Sequence, residues 1–167
     1  MISASKWIAG ALVVAFTSLA QAQDPAADSR KEDDAFLLLR DAVRQDDAAK
    51  ADFYAARLPN YSIPSYVDYY RLKSHLKDAS QMEIRDFMKR YEGQAIVDRL
   101  RNDWLLDLGR KRDWATFDEQ LPLYVINDDT QVKCYALISR ALKGQKVADE
   151  ARALLTSPAR GKRSVTT

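Results

Sequence analysis

The chain has 167 residues, with 26 Lys and Arg against 24 Asp and Glu, a formal net charge of +2, one histidine and one cysteine. Acids and bases are mixed throughout, so no basic stripe follows a phosphate backbone, and nucleic acid is excluded as a partner on charge. A single cysteine, Cys134, makes no internal disulfide, which leaves the fold to rest on packing.

Residues 1–22 have the form of an export signal. Lys6 gives a positive start, the apolar run WIAGALVVAFTSLA follows, and Ala20-Gln21-Ala22 places small residues where a signal peptidase reads them. The run is shorter than the roughly 20 apolar residues that span a bilayer, so cleavage after Ala22 is expected. That places the mature chain in a periplasm, free of the membrane, and removing Lys6 lowers the charge from +2 to +1. Residues 23–33 are polar and alanine-rich and are expected to form a disordered lead-in.

From there every patterned segment predicts helix. Phe36, Leu39 and Val43 stand at helical spacing in residues 33–50, and residues 51–58 continue as a second short helix that Pro59 ends. Pro64, tolerated in a first turn, opens a helix to about Lys77. Ser80 with Glu83 forms a capping-box pattern ahead of a helix that stops at Gly93. Residues 94–109 carry Val97, Leu100, Trp104 and Leu108 on one stripe, with Asp98, Arg99 and Asn102 opposite. Asp113 begins a helix through Trp114 and Phe117 that Pro122 disrupts, Asp129 or Thr130 caps a long one to Leu142, and a last helix covers about 147–155.

No segment alternates in the manner of a strand, so the fold class is all-α. The helices fall into pairs near residues 33–58, 64–91, 94–121 and 130–155, a spacing close to helical-hairpin repeats. Two helices have apolar faces too wide for a single partner. On the Pro64 helix, Val67, Tyr66, Tyr69, Tyr70, Leu72 and Leu76 leave Asp68, Arg71 and His75 as a narrow polar strip. On the Thr130 helix, Cys134, Tyr135, Leu137, Ile138, Ala141 and Leu142 share one face. Such helices touch partners on two sides, which favours an α-solenoid, a superhelix of stacked hairpins spanning residues 34–155, over a closed bundle.

Catalytic constellations are scarce. The chain has five glycines and neither a glycine-rich phosphate loop nor a Gly-x-Ser-x-Gly elbow. His75 has no second histidine or cysteine beside it, so it is expected to be a solvated surface residue and not a metal ligand. Cys134 lies among apolar neighbours, as a buried inert thiol does. Asp46-Asp47 and Asp128-Asp129 fall at helix boundaries, where solvation and N-capping account for them. Trp104 and Trp114 are expected in the core. No catalytic, cofactor or metal residue is assigned.

The stretch LPNYSIPSYVDYYRL holds four tyrosines and two prolines. Pro59 and Pro64 bracket a corner between two hairpins, and the rings of Tyr66, Tyr69 and Tyr70 are expected to pack, leaving Tyr61 as the most exposed and the one candidate for stacking on a glycan.

Together with MEIRDFMKRYEG, LRNDWLLDLGRKRDWATFDEQL and VKCYALISRALKGQ, that stretch resembles the N-terminal superhelical region of the soluble lytic murein transglycosylases, over roughly residues 34–155. The resemblance implies a role in peptidoglycan turnover. Full-length members cleave the β-1,4 link between N-acetylmuramic acid and N-acetylglucosamine to a 1,6-anhydro product, using a glutamate of a Glu-Ser motif in a lysozyme-like domain. Here none of Glu32, Glu83, Glu92, Glu119 and Glu150 is followed by serine, so no catalytic residue carries over. Residues 156–167 lose helical periodicity and gain basic residues, and the chain is expected to be a fragment of such a protein without lytic activity. The alternative is a stand-alone periplasmic helical-repeat adaptor that binds protein or peptidoglycan.

Overall fold

The structure, a computed structural model, describes residues 25–156, with side chains from residue 28. The expected export signal over 1–22 and nearly all of the basic tail lie outside the described residues. Within them the chain is all-α: α1 Pro25–Arg44, α2 Ala48–Ala55, α3 Pro64–Ser74, α4 Gln81–Arg90, α5 Ala95–Lys111, α6 Trp114–Gln120, a 3-10 turn Leu121–Leu123, α7 Thr130–Leu142 and α8 Ala148–Thr156.

Side-chain caps fix four of the helix starts. Asp47 accepts from the Lys50 amide at 3.0 Å, Ser80 from Glu83 at 3.2 Å, Asp113 from Thr116 at 3.2 Å, and Asp129 from Gln131 and Val132 at 2.8 and 3.0 Å. Each such cap satisfies amides that the first turn leaves unpaired and stabilises its helix by about 1 kcal/mol. Gly93 at φ +80° follows α4, and Arg112 ends α5 in the left-handed region at φ 58°.

Three boundaries differ from the sequence expectation. The lead-in is helical from Pro25, because proline suits the first turn and the alanines after it favour helix, so α1 is a turn or more longer than the apolar pattern implied. The helix expected over 33–50 is broken at residues 45–47, where Asp46 takes φ 57° and Asp47 caps α2 instead of continuing α1. The last helix includes Thr156, which the expected non-helical tail had claimed.

Packing runs along the chain. α1 rests on α2 and α3, α2 on α3, α3 on α4 and α5, α4 on α5, α5 on α6 and α7, α6 on α7, and α7 on α8. Every substantial contact among the described helices is therefore with the next helix or the next but one. The buried side chains form two clusters. Leu39, Ala42, Ala51, Ala55, Leu58 and Val67 join α1 to α3, and a larger cluster runs from Tyr69 to Val132 around Trp104 and Phe117, with Tyr70 bordering both. Trp104 is thus core, as its stripe implies, with the Arg85 guanidinium 5.4 Å over its ring.

Gly109 sets how closely α7 approaches α5. The Tyr135 ring lies where a β-carbon on residue 109 would sit, with ring carbons 2.3 to 2.7 Å from that position. Here glycine is required by the neighbour and not by the backbone, since its conformation is ordinary helix.

Four tyrosine hydroxyls donate to aspartates, three of them across elements and Tyr124 within its own loop. Tyr61 bonds Asp33 at 2.9 Å, Tyr69 bonds Asp103 at 2.7 Å, Tyr91 bonds Asp68 at 2.7 Å and Tyr124 bonds Asp128 at 3.1 Å. Burial, and then the adjacent carboxylate, pushes all four phenols above their ordinary value of 10.0, Tyr124 to about 12 and Tyr69 furthest. A phenol whose folded value is raised contributes stability that is complete below the unfolded value near 10 and is lost as pH rises through the folded value. Native protein is accordingly expected to ionise its tyrosines later than the urea-unfolded chain, with helicity falling between about pH 10 and 12. Spectrophotometric titration beside circular dichroism checks this, and superimposable native and unfolded curves would contradict it.

Candidate functional site

The polar strip of α3 forms one wall of a cleft. Asp68, Arg71 and His75 recur every three or four residues on α3, and Glu83, Asp86 and Arg90 recur in the same way on α4, so each helix presents one charged line to the other. Leu72 and Phe87, from the faces turned inward, make the floor, and the exposed Met82 stands at the mouth. The space between is about 300 Å³.

Most of these charges are held by partners. His75 Nε2 is 3.2 Å from Glu83 Oε1, so the glutamate that sequence reading paired with Ser80 in a capping box turns its side chain to histidine. Arg90 donates to Asp68 at 2.9 Å, Asp68 also accepts from Tyr91, and Arg71 reaches Asp52 of α2 at 2.9 Å. Asp86 is exposed and has no ion-pair partner among the described residues. The site offers two guanidinium groups, an imidazole and three carboxylates over an apolar floor, which suits a ligand with polar groups of both signs and an aliphatic part. A neighbouring hollow of about 230 Å³ shares Asp68 and Arg71 and extends the cleft toward Pro59 and Pro64.

Among the described residues no serine, threonine or cysteine side chain is hydrogen-bonded to His75, whose ring meets Glu83. His75 lines the α3 and α4 cleft, whereas Cys134, half-buried, lines a separate groove between α7 and α8, and the two do not form a pair. Among the described residues no group of three or more histidine, cysteine or acidic side chains is placed to hold a metal ion. Lys73, Tyr69 and Asp103 do converge, with Lys73 Nζ 2.9 Å from Asp103 Oδ1 and 3.1 Å from the Tyr69 hydroxyl. Burial and the Asp103 carboxylate raise the Tyr69 phenol, and the bonds of Tyr69 and Lys73 to Asp103 join α3 to α5.

The aromatic candidates distribute differently from expectation. Tyr61 is not the free ring of the corner: it stacks on Phe36 of α1 at 4.9 Å and is half-buried, because α1 passes beneath the corner. Tyr66 is the exposed tyrosine of the segment, while Tyr69 is buried and Tyr70 lies between the two cores. Trp114 is half-buried against Phe117 and Tyr135. Of the acid pairs, Asp47 and Asp129 are N-caps, and Asp128 receives Tyr124.

Asp98 was missed. Placed by the helical wheel on the polar side of α5, it is buried, and its two oxygens accept from the Val125 and Ile126 amides at 2.9 and 2.8 Å. Arg101, also largely buried, lies 3.6 Å from the same carboxylate, and its Nε has no acceptor. A one-helix pattern gives no signal for this, since the loop that covers Asp98 comes from 27 and 28 residues further on. Comparison with protein-family models, with curated proteins and with solved structures found no match to this chain.

Proposed function

We propose that this chain is a non-catalytic helical-repeat module of the kind that precedes the catalytic domain of soluble lytic murein transglycosylases, acting at peptidoglycan in the periplasm. The observation that supports this reading is the packing order, in which every substantial contact among the described helices is with the next helix or the next but one. Contacts of that kind favour a quasi-one-dimensional stack such as an α-solenoid over a closed bundle, where first and last helices also meet. The family's glutamate followed by serine has no counterpart in this sequence. The chemistry of the whole enzyme is therefore not assigned to this chain, whose part is to present surface.

The cleft between α3 and α4 is the surface we assign to the wall polymer. Its mixture of carboxylates and cations over Leu72 and Phe87 complements the amides, carboxyls and hydroxyls of peptide-bearing glycan. The 167-residue protein is expected to co-sediment with purified sacculi while releasing no anhydro-muropeptides. Replacing His75 and Arg90 together by alanine is expected to weaken that binding several-fold with helicity unchanged. Release of anhydro-sugar products would overturn the non-catalytic assignment, and absence of binding to sacculi would overturn the peptidoglycan assignment. A stand-alone adaptor for a protein partner differs in the second result only.

A further inference from the structure

Where α5 turns into α6, a hollow of about 500 Å³ opens against α7, within the roughly 300–1,000 Å³ of small-molecule sites. The half-buried rings of Trp114 and Tyr135 line it, and Ile138 and Leu142, 46% and 67% exposed, continue its apolar side. Arg110 and Arg112 complete it, and among the described residues no carboxylate lines it. The cleft between α3 and α4, by contrast, sets three carboxylates among its cations.

The positive charge at this corner exceeds what its acids neutralise. Buried Asp107 is shared between Arg110 at 3.3 Å and Lys111 at 2.8 Å, and Asp113 is committed to the Thr116 amide and to Gln81. Arg112 has no ion-pair partner among the described residues. Its backbone is also in an uncommon state, at φ 58°, with its amide bonded to the Gly109 carbonyl at 3.3 Å and the Asp113 amide to the Leu108 carbonyl at 3.0 Å. That pair of bonds closes a helix through a left-handed residue, a place that glycine fills without strain. An arginine there costs backbone strain that no ion pair offsets, and such departures from local preference gather where a side chain is kept for a ligand.

Guanidinium groups with charge to spare suit a carboxylate, which a planar fork takes through two parallel bonds. The rings suit a saturated C–H face and not a flat base. Their centroids are 6.4 Å apart at 55°, so they rest on each other and no planar group passes between them. We infer that this hollow is a second binding site, for a sugar ring that carries a carboxylate, with Arg112 and Arg110 on the carboxylate and Trp114 and Tyr135 against the ring. Resting on the peptidoglycan reading above, the group recognised is the lactyl carboxylate of an N-acetylmuramic acid residue that bears no peptide, since a peptide converts that carboxylate to an amide. The two sites then divide the polymer: the cleft between α3 and α4 takes peptide-bearing strands, and this hollow takes bare ones.

Sugar titrations followed by the Trp114 indole N–H resonance, identified by its loss in Trp114→Phe, test this. N-acetylmuramic acid and N-acetylglucosamine differ by the lactyl group alone, so the first is expected to bind about tenfold or more tightly than the second, with inorganic phosphate a poor competitor. Arg112→Gly is expected to lower that affinity about tenfold while thermal stability holds or rises, because glycine fits the left-handed position. A merely structural arginine would not separate the two readouts. Arg112→Lys, which keeps the charge without the fork, should fall between. Equal binding of the two sugars, equal binding of phosphate, or unchanged binding by Arg112→Gly would each overturn the inference. Sacculi bound without any response to N-acetylmuramic acid would defeat this site alone. The response without binding to sacculi would defeat the peptidoglycan reading and leave a site for acidic sugars.

Discussion

Replacing Asp98 with alanine is expected to destabilise the protein by about 3 kcal/mol, the sum of two charge-assisted bonds lost from a buried site and a guanidinium left without its carboxylate. The bonds are those to the Val125 and Ile126 amides, and the guanidinium is that of Arg101, only 13% of whose side chain is exposed. The ion pair contributes less than the amide bonds, since its closest approach is 3.6 Å and, among the described residues, Arg101 otherwise bonds only the Met88 sulfur. Asp98→Asn should fall between, because an amide keeps one acceptor oxygen but adds a donor facing two amides. Urea unfolding measures the loss, and amide exchange at Val125 and Ile126 locates it. If both amides stay protected in the alanine variant, something other than Asp98 holds the loop.

Gly109→Ala is the second large effect expected, a loss of roughly 1–2 kcal/mol in which overpacking of ~1–3 kcal/mol outweighs the ~1 kcal/mol that alanine offers a helix interior. A new methyl at 2.3 Å from the Tyr135 ring cannot be accommodated without moving the ring or separating α5 from α7. The ring is itself wedged against Trp114 and Phe117, with centroids 6.4 Å from each, so it has little freedom to turn. A double-mutant cycle with Tyr135→Ala separates the terms. Truncating the ring removes the obstacle, so Gly109→Ala should become neutral or stabilising in that background. Thermal unfolding of the four proteins completes the cycle, and additive effects would show that the contact does not set the helix spacing.

Much of this fold was legible in the chain because the signals are local. Ser80, Asp113 and Asp129 announce helix starts by bonding amides two or three residues away, and Gly93 marks a stop by a conformation that suits glycine. Val97, Leu100, Trp104 and Leu108 announce a buried stripe by spacing alone, and all four are in the core. The break after Arg44 was only partly legible. Asp46-Asp47 reads as a helix boundary, but apolar spacing carried the first helix to residue 50, and the turn itself is made by a left-handed aspartate that no local pattern marks.

Apolar spacing also overstates what is covered. Tyr66, Ile138 and Leu142 belong to the predicted faces of α3 and α7, yet they remain exposed. A periodic pattern records which side of a helix is apolar and carries no information on whether another element lies against it.

The sequence by itself determined the helices, most of their ends and the identity of the central core, since these follow from bonds and spacings within a turn or two of helix. Only the tertiary structure decided that Asp68, Arg71 and His75 face Glu83, Asp86 and Arg90 across a cleft, and that Tyr61 rests on Phe36 and not in solvent. It likewise decided that Asp98 lies buried beneath a loop nearly thirty residues away. Each of these depends on which helix faces meet, and that is set by long-range packing, to which no single helix's periodicity is sensitive.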